Sequence, residues 1–316
     1  MIQNERNDTM ARKIKKINQK QTEIFLSEAI TNYLNHKRNE GLRESSIETY
    51  QAQLDNFIRC LGDININEIN EETLDTFLDW LEKNFHYNNQ SQNHIRRTLN
   101  VFLKYLHQEY KLPQLKFKLL KSDSKIKEIF TDEEIKLLLK KPSNNCLYSE
   151  YRNYTITHLI LSTGIRASTV CHIKLKDLDL KKKELRLTHL KNRSEVVFPL
   201  NHNIVKILKE YLATCGLDSD YLFENSEGEK LSTKQLSQSF YRYCKNRGCE
   251  HTSIHLLRHT FASLLVKKKV DIRLVQLMLT HNSILTTEKY IKSIGLNQHS
   301  KEIRDLDVLE SVTRSN

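Results

Sequence analysis

The sequence is most informative at residues 255–291, which read HLLRHTFASLLVKKKVDIRLVQLMLTHNSILTTEKYI. Leucine, valine and isoleucine recur there at the three- and four-residue spacing that is typical of amphipathic helices. His255 and Arg258 lie three residues apart and therefore share one helix face. His281 follows Arg258 by 23 residues, and Tyr290 follows His281 by nine. The stretch thus combines helical periodicity with side chains that are capable of acid–base and nucleophilic chemistry.

Two segments upstream add further polar groups. The sequence TGIR (163–166) ends a predicted helix with a glycine that is followed closely by Arg166. Lys191 lies between the strand-like sequences ELRLTH (184–189) and EVVFPL (195–200), which predict a β-hairpin. Taken singly, each of these residues has an ordinary structural explanation, and only their combination indicates a reaction.

The combination is typical of a site for phosphoryl transfer. Arg166 and Arg258 can hold the non-bridging oxygens of a phosphodiester in bidentate fashion. The Tyr290 hydroxyl can attack phosphorus and form a covalent intermediate. Because the reference pKa of tyrosine is about 10, this attack needs a base and a positive field. Histidine supplies a base near neutral pH, and Lys191 can protonate the departing sugar oxygen.

Such a site requires no metal ion and no cofactor, because the guanidinium groups stabilise the charge of the transition state. The sequence contains no Walker loop and no acidic cluster with recognisable metal-ligand spacing. We therefore expect neither a metal site nor a cofactor site.

These motifs resemble the tyrosine recombinases of the phage-integrase family. The resemblance covers residues 22–297, and residues 255–291 look like the family signature throughout. TGIR with the trailing pattern VCHIKLKDLDL (170–180) is similar to the family's first-arginine motif. Lys191 lies eight residues before Pro199, as in the family's hairpin.

By position, the resemblance implies a role for each reacting group. Tyr290 would be the nucleophile, forming a 3′-phosphotyrosyl link and freeing a 5′-hydroxyl. Lys191 would be the general acid for the leaving 5′-oxygen. His255 would be the base, and His259 would support it from the same helix.

The resemblance also implies that Arg166 and Arg258 hold the scissile phosphate and that His281 donates a hydrogen bond to it. Two neighbouring positions depart from the family pattern. Thr169 stands where the family usually has an acidic residue, and Thr280 stands where it commonly has glycine before the second histidine. Neither departure removes a reacting group, so we expect slower or differently tuned chemistry.

The rest of the chain predicts a mainly α fold with a small β-hairpin. Four amphipathic helices before residue 110 predict a small helical domain, and Thr131 with Glu134 forms a predicted capping box. The lysine-rich segment 111–128 has no clean period and predicts an exposed linker. The expected divisions are a basic N-terminal arm (1–21), a helical core-binding, SAM-like domain (22–110), the linker (111–128), an α+β catalytic domain (129–297) and a C-terminal tail (298–316).

The resemblance further implies an assembly on DNA. The two domains would form a C-shaped clamp around duplex DNA that contains an inverted-repeat core site. A homotetramer on two such sites would exchange strands in pairs through a Holliday junction, and the tail would dock on a neighbouring subunit. An accessory DNA-bending or directionality protein is a further possible partner.

Composition agrees with a nucleic-acid partner. Fifty Lys and Arg against 39 Asp and Glu give a formal charge of +11, and basic surfaces bind polyanions by releasing counterions. The six cysteines form no CxxC pair, which makes a structural zinc site unexpected. The polar N-terminus lacks the apolar run of a signal peptide and no stretch is long enough to span a bilayer, so we expect a bacterial cytoplasmic, nucleoid-associated protein.

Several functions remain open at this point. The short segment before the first helix favours a simple recombinase that resolves transposon cointegrates or replicon dimers, with a small mobile-element integrase as the alternative. A DNA-binding regulator on a catalytically decayed recombinase fold is a second alternative, which Thr169 alone favours. A type IB topoisomerase would use the same phosphotyrosine chemistry, but the core-binding helices disfavour it.

Overall fold

A computed structural model describes residues 23–121, 128–143, 145–188 and 195–279 of the 316-residue chain. The chain divides into two compact units between Asp123 and Ser124. Within the described ranges, no helix is long and apolar enough to cross a membrane. The basic arm and the tail lie outside the described residues.

The N-terminal unit consists of four helices whose apolar faces meet in one core. They are α1 (Leu26–Asn39), α2 (Glu44–Leu61), α3 (Glu71–Asn84) and α4 (Asn89–Tyr110). Tyr33, Phe57, Phe77 and Phe102 are fully buried at the centre. The four predicted helices are confirmed. Helix α2 ends at Gly62, which adopts φ +77°.

The predicted exposed linker begins differently from our expectation. Residues 117–121 lie against α4, and Phe117 is buried in the N-terminal core. Side chains of α4 hold this segment by hydrogen bonds to its backbone, among them Asn93 to Leu120 and Asn100 to Phe117. The predicted exposure is confirmed for most of residues 111–121, but Phe117 is buried. The pairing of this segment with α4 could not be predicted, because side-chain-to-backbone hydrogen bonds leave no periodicity in the sequence.

The C-terminal unit is mixed α and β. Its helices, over the described residues, are α5 (Asp132–Leu138), α6 (Tyr148–Thr163), α7 (Ala167–Val170), α8 (His202–Thr214), α9 (Thr233–Asn246), α10 (His255–Lys267) and α11 (Ile272–Met278). The Thr131–Glu134 capping box is present at the start of α5, as predicted. Helix α6 is buried on nearly all sides and packs against α8, α9 and α10.

A three-stranded antiparallel sheet lies beside these helices, in the order β1 (Leu178–Asp179), β2 (Glu184–Leu187) and β3 (Val196–Pro199). The register pairs Leu187 with Val196 and Leu185 with Phe198. The predicted hairpin is therefore confirmed, whereas the two-residue strand β1 was not predicted. The mainly helical fold class with a small sheet is also confirmed.

Candidate active site

The turn after α6 is shaped by a glycine that no other residue can replace without strain. Gly164 adopts φ +69°, and a Cβ atom placed on it would lie 2.4 Å from Cδ1 of Phe261 on α10. This close approach packs the TGIR turn directly onto α10. The next turn begins at Arg166, whose extended backbone precedes α7 and whose carbonyl accepts the Val170 amide.

Arg258 holds three segments of the C-terminal unit together. Its Nη1 donates to the Gly164 carbonyl at 2.6 Å, and its Nη2 donates to the Leu279 carbonyl at 2.6 Å. The side chain is 9% exposed. Arg258 thereby fixes the TGIR turn, α10 and the residue that follows α11 relative to one another.

The structure brings Arg166 and Arg258 together, although 92 residues separate them. Burial and the neighbouring Arg166 charge lower the pKa of Arg258 to about 9, and burial lowers the pKa of Arg166. Both guanidinium groups remain cationic at neutral pH, since arginine ordinarily titrates above 12. Two like charges in a partly dry environment repel each other, so an anion that binds both guanidinium groups would be stabilised there.

The two described histidines of the predicted site stand on the arginine-bearing helix. His255 is the first residue of α10 and is exposed, and His259 is half-buried one turn further on. Because His255 precedes Arg258 by three positions, both side chains emerge from one side of α10. Thr169, on α7, is 3% exposed.

The remaining predicted site residues lie outside the described residues. These are Lys191, Thr280, His281 and Tyr290. Their flanking elements are described. Lys191 belongs to the connection between β2 and β3, and Leu279, whose carbonyl Arg258 binds, comes two positions before His281.

The two backbone carbonyls that orient Arg258 were not predicted from the sequence. A glycine just ahead of an arginine was the available signal for the Gly164 contact. The Leu279 contact depends on the packing of α11 against α10 through buried Phe261, Ala262 and Val275. No spacing rule predicts a contact of this kind.

A cavity of 1060 Å³ in the C-terminal unit includes none of the predicted site residues. It is lined in part by Cys146, Tyr148, Glu210 and Cys215. We place the candidate site at the arginine pair because the paired cations supply a chemical function, whereas cavity size does not. Among the described residues, no three His, Cys, Asp or Glu side chains are grouped closely enough to hold a metal ion.

A second polar surface lies in the N-terminal unit, between α2 and the start of α4. This groove of 480 Å³ is lined mostly by uncharged side chains that can donate and accept hydrogen bonds. They are Gln53, Asn56, Tyr87, Gln90, Ser91 and His94, together with Ala52 and Ile95. The Gln53 Oε1 atom is buried and has no hydrogen-bond partner among the described residues.

Each of the two units matches a known protein family. Residues 128–294 match the phage integrase family, and residues 30–110 match the phage integrase N-terminal SAM-like domain. The tyrosine recombinase XerC of Thermodesulfovibrio yellowstonii is 29% identical over 280 residues, which cover 83% of this chain and 90% of the relative.

Solved structures share the fold. The Tn1549 transposon integrase in complex with transposon right end DNA aligns with a TM-score of 0.71 and 17% identity, over 90% of this chain and 99% of that one. A lambda integrase tetramer bound to a Holliday junction aligns with a TM-score of 0.68 and 19% identity, over 85% of this chain and 78% of that one.

Proposed function

We propose that this chain, which belongs to the phage integrase family and is a tyrosine recombinase, cuts and rejoins duplex DNA at a specific site through a 3′-phosphotyrosyl intermediate. The observation that carries the proposal is the arginine pair. Arg258 is locked to the carbonyls of Gly164 and Leu279, and its charge is close enough to that of Arg166 to shift its pKa. A phosphodiester is an anion whose oxygens suit two such guanidinium groups.

In the proposed first step, the Tyr290 oxygen attacks the scissile phosphorus while the bond from phosphorus to the 5′-oxygen breaks. His255 accepts the tyrosine proton, and Lys191 donates a proton to the leaving 5′-oxygen. Arg166 and Arg258, with a hydrogen bond from His281, stabilise the charge that develops on the non-bridging oxygens. One phosphoester replaces another, so the step needs no energy-supplying nucleotide.

In the second step, a 5′-hydroxyl from the partner duplex attacks the phosphotyrosyl bond and releases Tyr290. Strand exchange in pairs through a Holliday junction would follow on a homotetramer that holds two inverted-repeat sites. The likeness to a lambda integrase tetramer on such a junction supports this assembly. We assign the tail (298–316) to contacts between subunits and the basic arm (1–21) to flanking DNA.

Two neighbours would adjust the chemistry. Thr169 is buried on α7, three positions after Arg166, where a hydroxyl can position its neighbours without adding a negative charge. His259 would support His255 from the next turn of α10.

The polar groove between α2 and α4 is our candidate for reading the DNA sequence. Asparagine and glutamine pair with adenine through two hydrogen bonds, and a small apolar side chain such as Ala52 suits the thymine methyl group. Asn56, Gln53 and Gln90 supply the carboxamides.

The biological role that we favour is resolution of transposon cointegrates or replicon dimers. Similarity to the XerC recombinase over most of both chains supports it. Integration of a small mobile element is the alternative, and the likeness to the Tn1549 integrase supports it. In either role the protein would work on bacterial DNA in the cytoplasm, together with an accessory DNA-bending or directionality protein.

A covalent-trapping assay tests the proposal. Nicked duplexes tiled from the DNA that flanks the gene would be incubated with the full chain and separated on denaturing gels. We expect a denaturant-resistant adduct that Tyr290→Phe abolishes. Tyr241→Phe, which removes a hydroxyl from an exposed tyrosine of α9, should retain the adduct.

A native gel on the same samples reports binding separately. Binding to a duplex with an inverted repeat, without any adduct, would contradict catalysis and favour the decayed regulator. An adduct that persists in Tyr290→Phe would show that another residue is the nucleophile.

A further inference from the structure

Residues 117–121 lie along helix α4 and are held there by hydrogen bonds from side chains of the helix to their backbone. Asn89, Asn93, Arg96 and Asn100 recur at spacings of four, three and four residues and so occupy one face of the helix. We call these four side chains the side-chain ladder. They bind the backbone of residues 117–121, which runs antiparallel to α4.

The side-chain ladder satisfies the segment's backbone almost as a neighbouring strand would. Asn93 accepts the Leu120 amide at 2.7 Å and donates to the Leu120 carbonyl at 2.8 Å. Asn100 does the same for Phe117, at 2.7 and 3.0 Å. Arg96 and Asn89 add hydrogen bonds to the carbonyls of Lys118 and Lys121, both at 2.8 Å.

The lysine side chains of this segment are exposed to solvent. Lys116, Lys118 and Lys121 are exposed, whereas Phe117 between the first two is buried. Among the described residues, no carboxylate lies within 4.0 Å of these three ammonium groups. Beneath them, Arg96 is 8% exposed and adds a buried positive charge.

The local composition is strongly one-sided. Residues 84–122 contain seven Lys and Arg residues, and Glu109 is their only acidic residue. Ordering a surface segment costs backbone conformational entropy. A preorganised row of cations lowers the entropy lost when a polyanion binds, which gives the docking a use beyond the stability of the unit.

We propose that residues 116–121, the lysine strand, are a preformed contact for the phosphate backbone of duplex DNA, held in place by the side-chain ladder. This inference rests on the proposed function in so far as duplex DNA is the substrate. It adds a binding surface outside the arginine site and outside the polar groove. The lysines position the duplex and carry no base readout.

Salt dependence of binding tests the lysines. The full chain would be titrated against a duplex from the flanking DNA at several salt concentrations. For each of Lys116→Gln, Lys118→Gln and Lys121→Gln, the slope of log K against log salt should become shallower by about 0.9. Lys83→Gln, at an exposed position near the end of α3, is the matched control. Lysine-strand variants whose slopes equal that of the control would overturn the proposal.

The side-chain ladder is tested without changing any charge. In Asn93→Leu/Asn100→Leu, we expect hydrogen exchange at the Phe117 and Leu120 amides to accelerate and DNA affinity to fall although every lysine remains. The milder Asn89→Ala removes one hydrogen bond and serves where the double variant unfolds. Lost amide protection with unchanged affinity would overturn the role of the ladder.

The trapping assay separates this inference from the proposed function. At saturating protein and low salt, lysine-strand variants should form the covalent adduct as fully as the unsubstituted protein. If each lysine variant shows the expected shallower slope but the unsubstituted chain forms no adduct, the lysine strand is supported and the catalytic proposal is rejected. If the unsubstituted chain forms the adduct but the slopes of the lysine variants do not change, the catalytic proposal is supported and the lysine strand is rejected.

Discussion

Gly164 carries two constraints at once, a positive φ and a contact with Phe261 that leaves no room for a Cβ atom. The left-handed conformation costs a side-chain-bearing residue roughly 1–2 kcal/mol, and overpacking adds about 1–3 kcal/mol. Both costs fall on the turn whose carbonyl orients Arg258. The position therefore links local backbone geometry to the arrangement of the arginine pair.

For Gly164→Ala we expect the C-terminal unit to lose about 2–4 kcal/mol of unfolding free energy and the adduct yield to drop. Calorimetry would measure the transition of this unit. The chain's one tryptophan, Trp80, belongs to the N-terminal unit, so its fluorescence transition should stay unchanged and serves as an internal control.

The second variant, Gly164→Ala/Phe261→Leu, relieves the contact but keeps the positive φ. The two substitutions should therefore cost less together than the sum of their separate costs, because adjacent sites couple. Strict additivity would contradict the packing argument.

At the scale of elements, Glu134 joins α5 to the loop that leads into α10. Its carboxylate accepts the Thr131 amide at 2.9 Å within the capping box, and it also accepts the Glu250 and His251 amides at 3.0 and 2.9 Å. Burial raises the pKa of Glu134, but hydrogen bonds from His251 and Thr131 outweigh burial and hold the pKa below its ordinary value of 4.5. The ionised form is therefore the one that stabilises the fold.

Because the folded-state pKa is lowered, the carboxylate contributes stability above about pH 4.5, and this contribution disappears as the pH falls through the folded-state value. We expect Glu134→Gln to cost about 1–3 kcal/mol at pH 7, since an amide cannot accept all of these hydrogen bonds. The difference from wild type in the calorimetric transition should shrink in acid. A difference that is constant from pH 7 to acid would show that the ionised carboxylate is not responsible.

Elements that depend on local chemistry could be predicted from the sequence, and those that depend on distant pairing could not. The Thr131–Glu134 capping box and the end of α2 at Gly62 each follow from a few adjacent residues. The side-chain ladder joins α4 to residues 17–32 positions further on, and neither partner shows a periodic pattern. Similarly, the short strand β1 exists only because β2 pairs with it.

The candidate site also has features that could be predicted from the sequence and features that could not. Its residue types follow from the motifs and from the family resemblance. The carbonyl contacts of Arg258 follow from the packing of α6, α10 and α11, which no single motif encodes. The positions of Lys191, His281 and Tyr290 remain predictions.

At the scale of the whole molecule, each unit has its own core. The buried residues of the N-terminal core run from Leu26 to Phe117, and those of the C-terminal unit run from Phe130 to Leu279. Among the residues that the structure describes, no buried residue belongs to both sets. Since each unit buries its own apolar surface, each should fold as an independent cooperative unit.

We therefore expect fragments 1–123 and 124–316 to unfold separately and cooperatively, each near the temperature of its transition in the full chain. The fragments mixed in trans should nevertheless give far less adduct on a nicked duplex than the intact chain at equal micromolar concentration. A covalent connection holds two DNA-binding units at an effective concentration of about millimolar, which separate fragments lack. Raising the fragments toward that concentration should restore adduct. Equal yields at low concentration would mean that the C-terminal unit engages the duplex without help from the lysine strand or the polar groove.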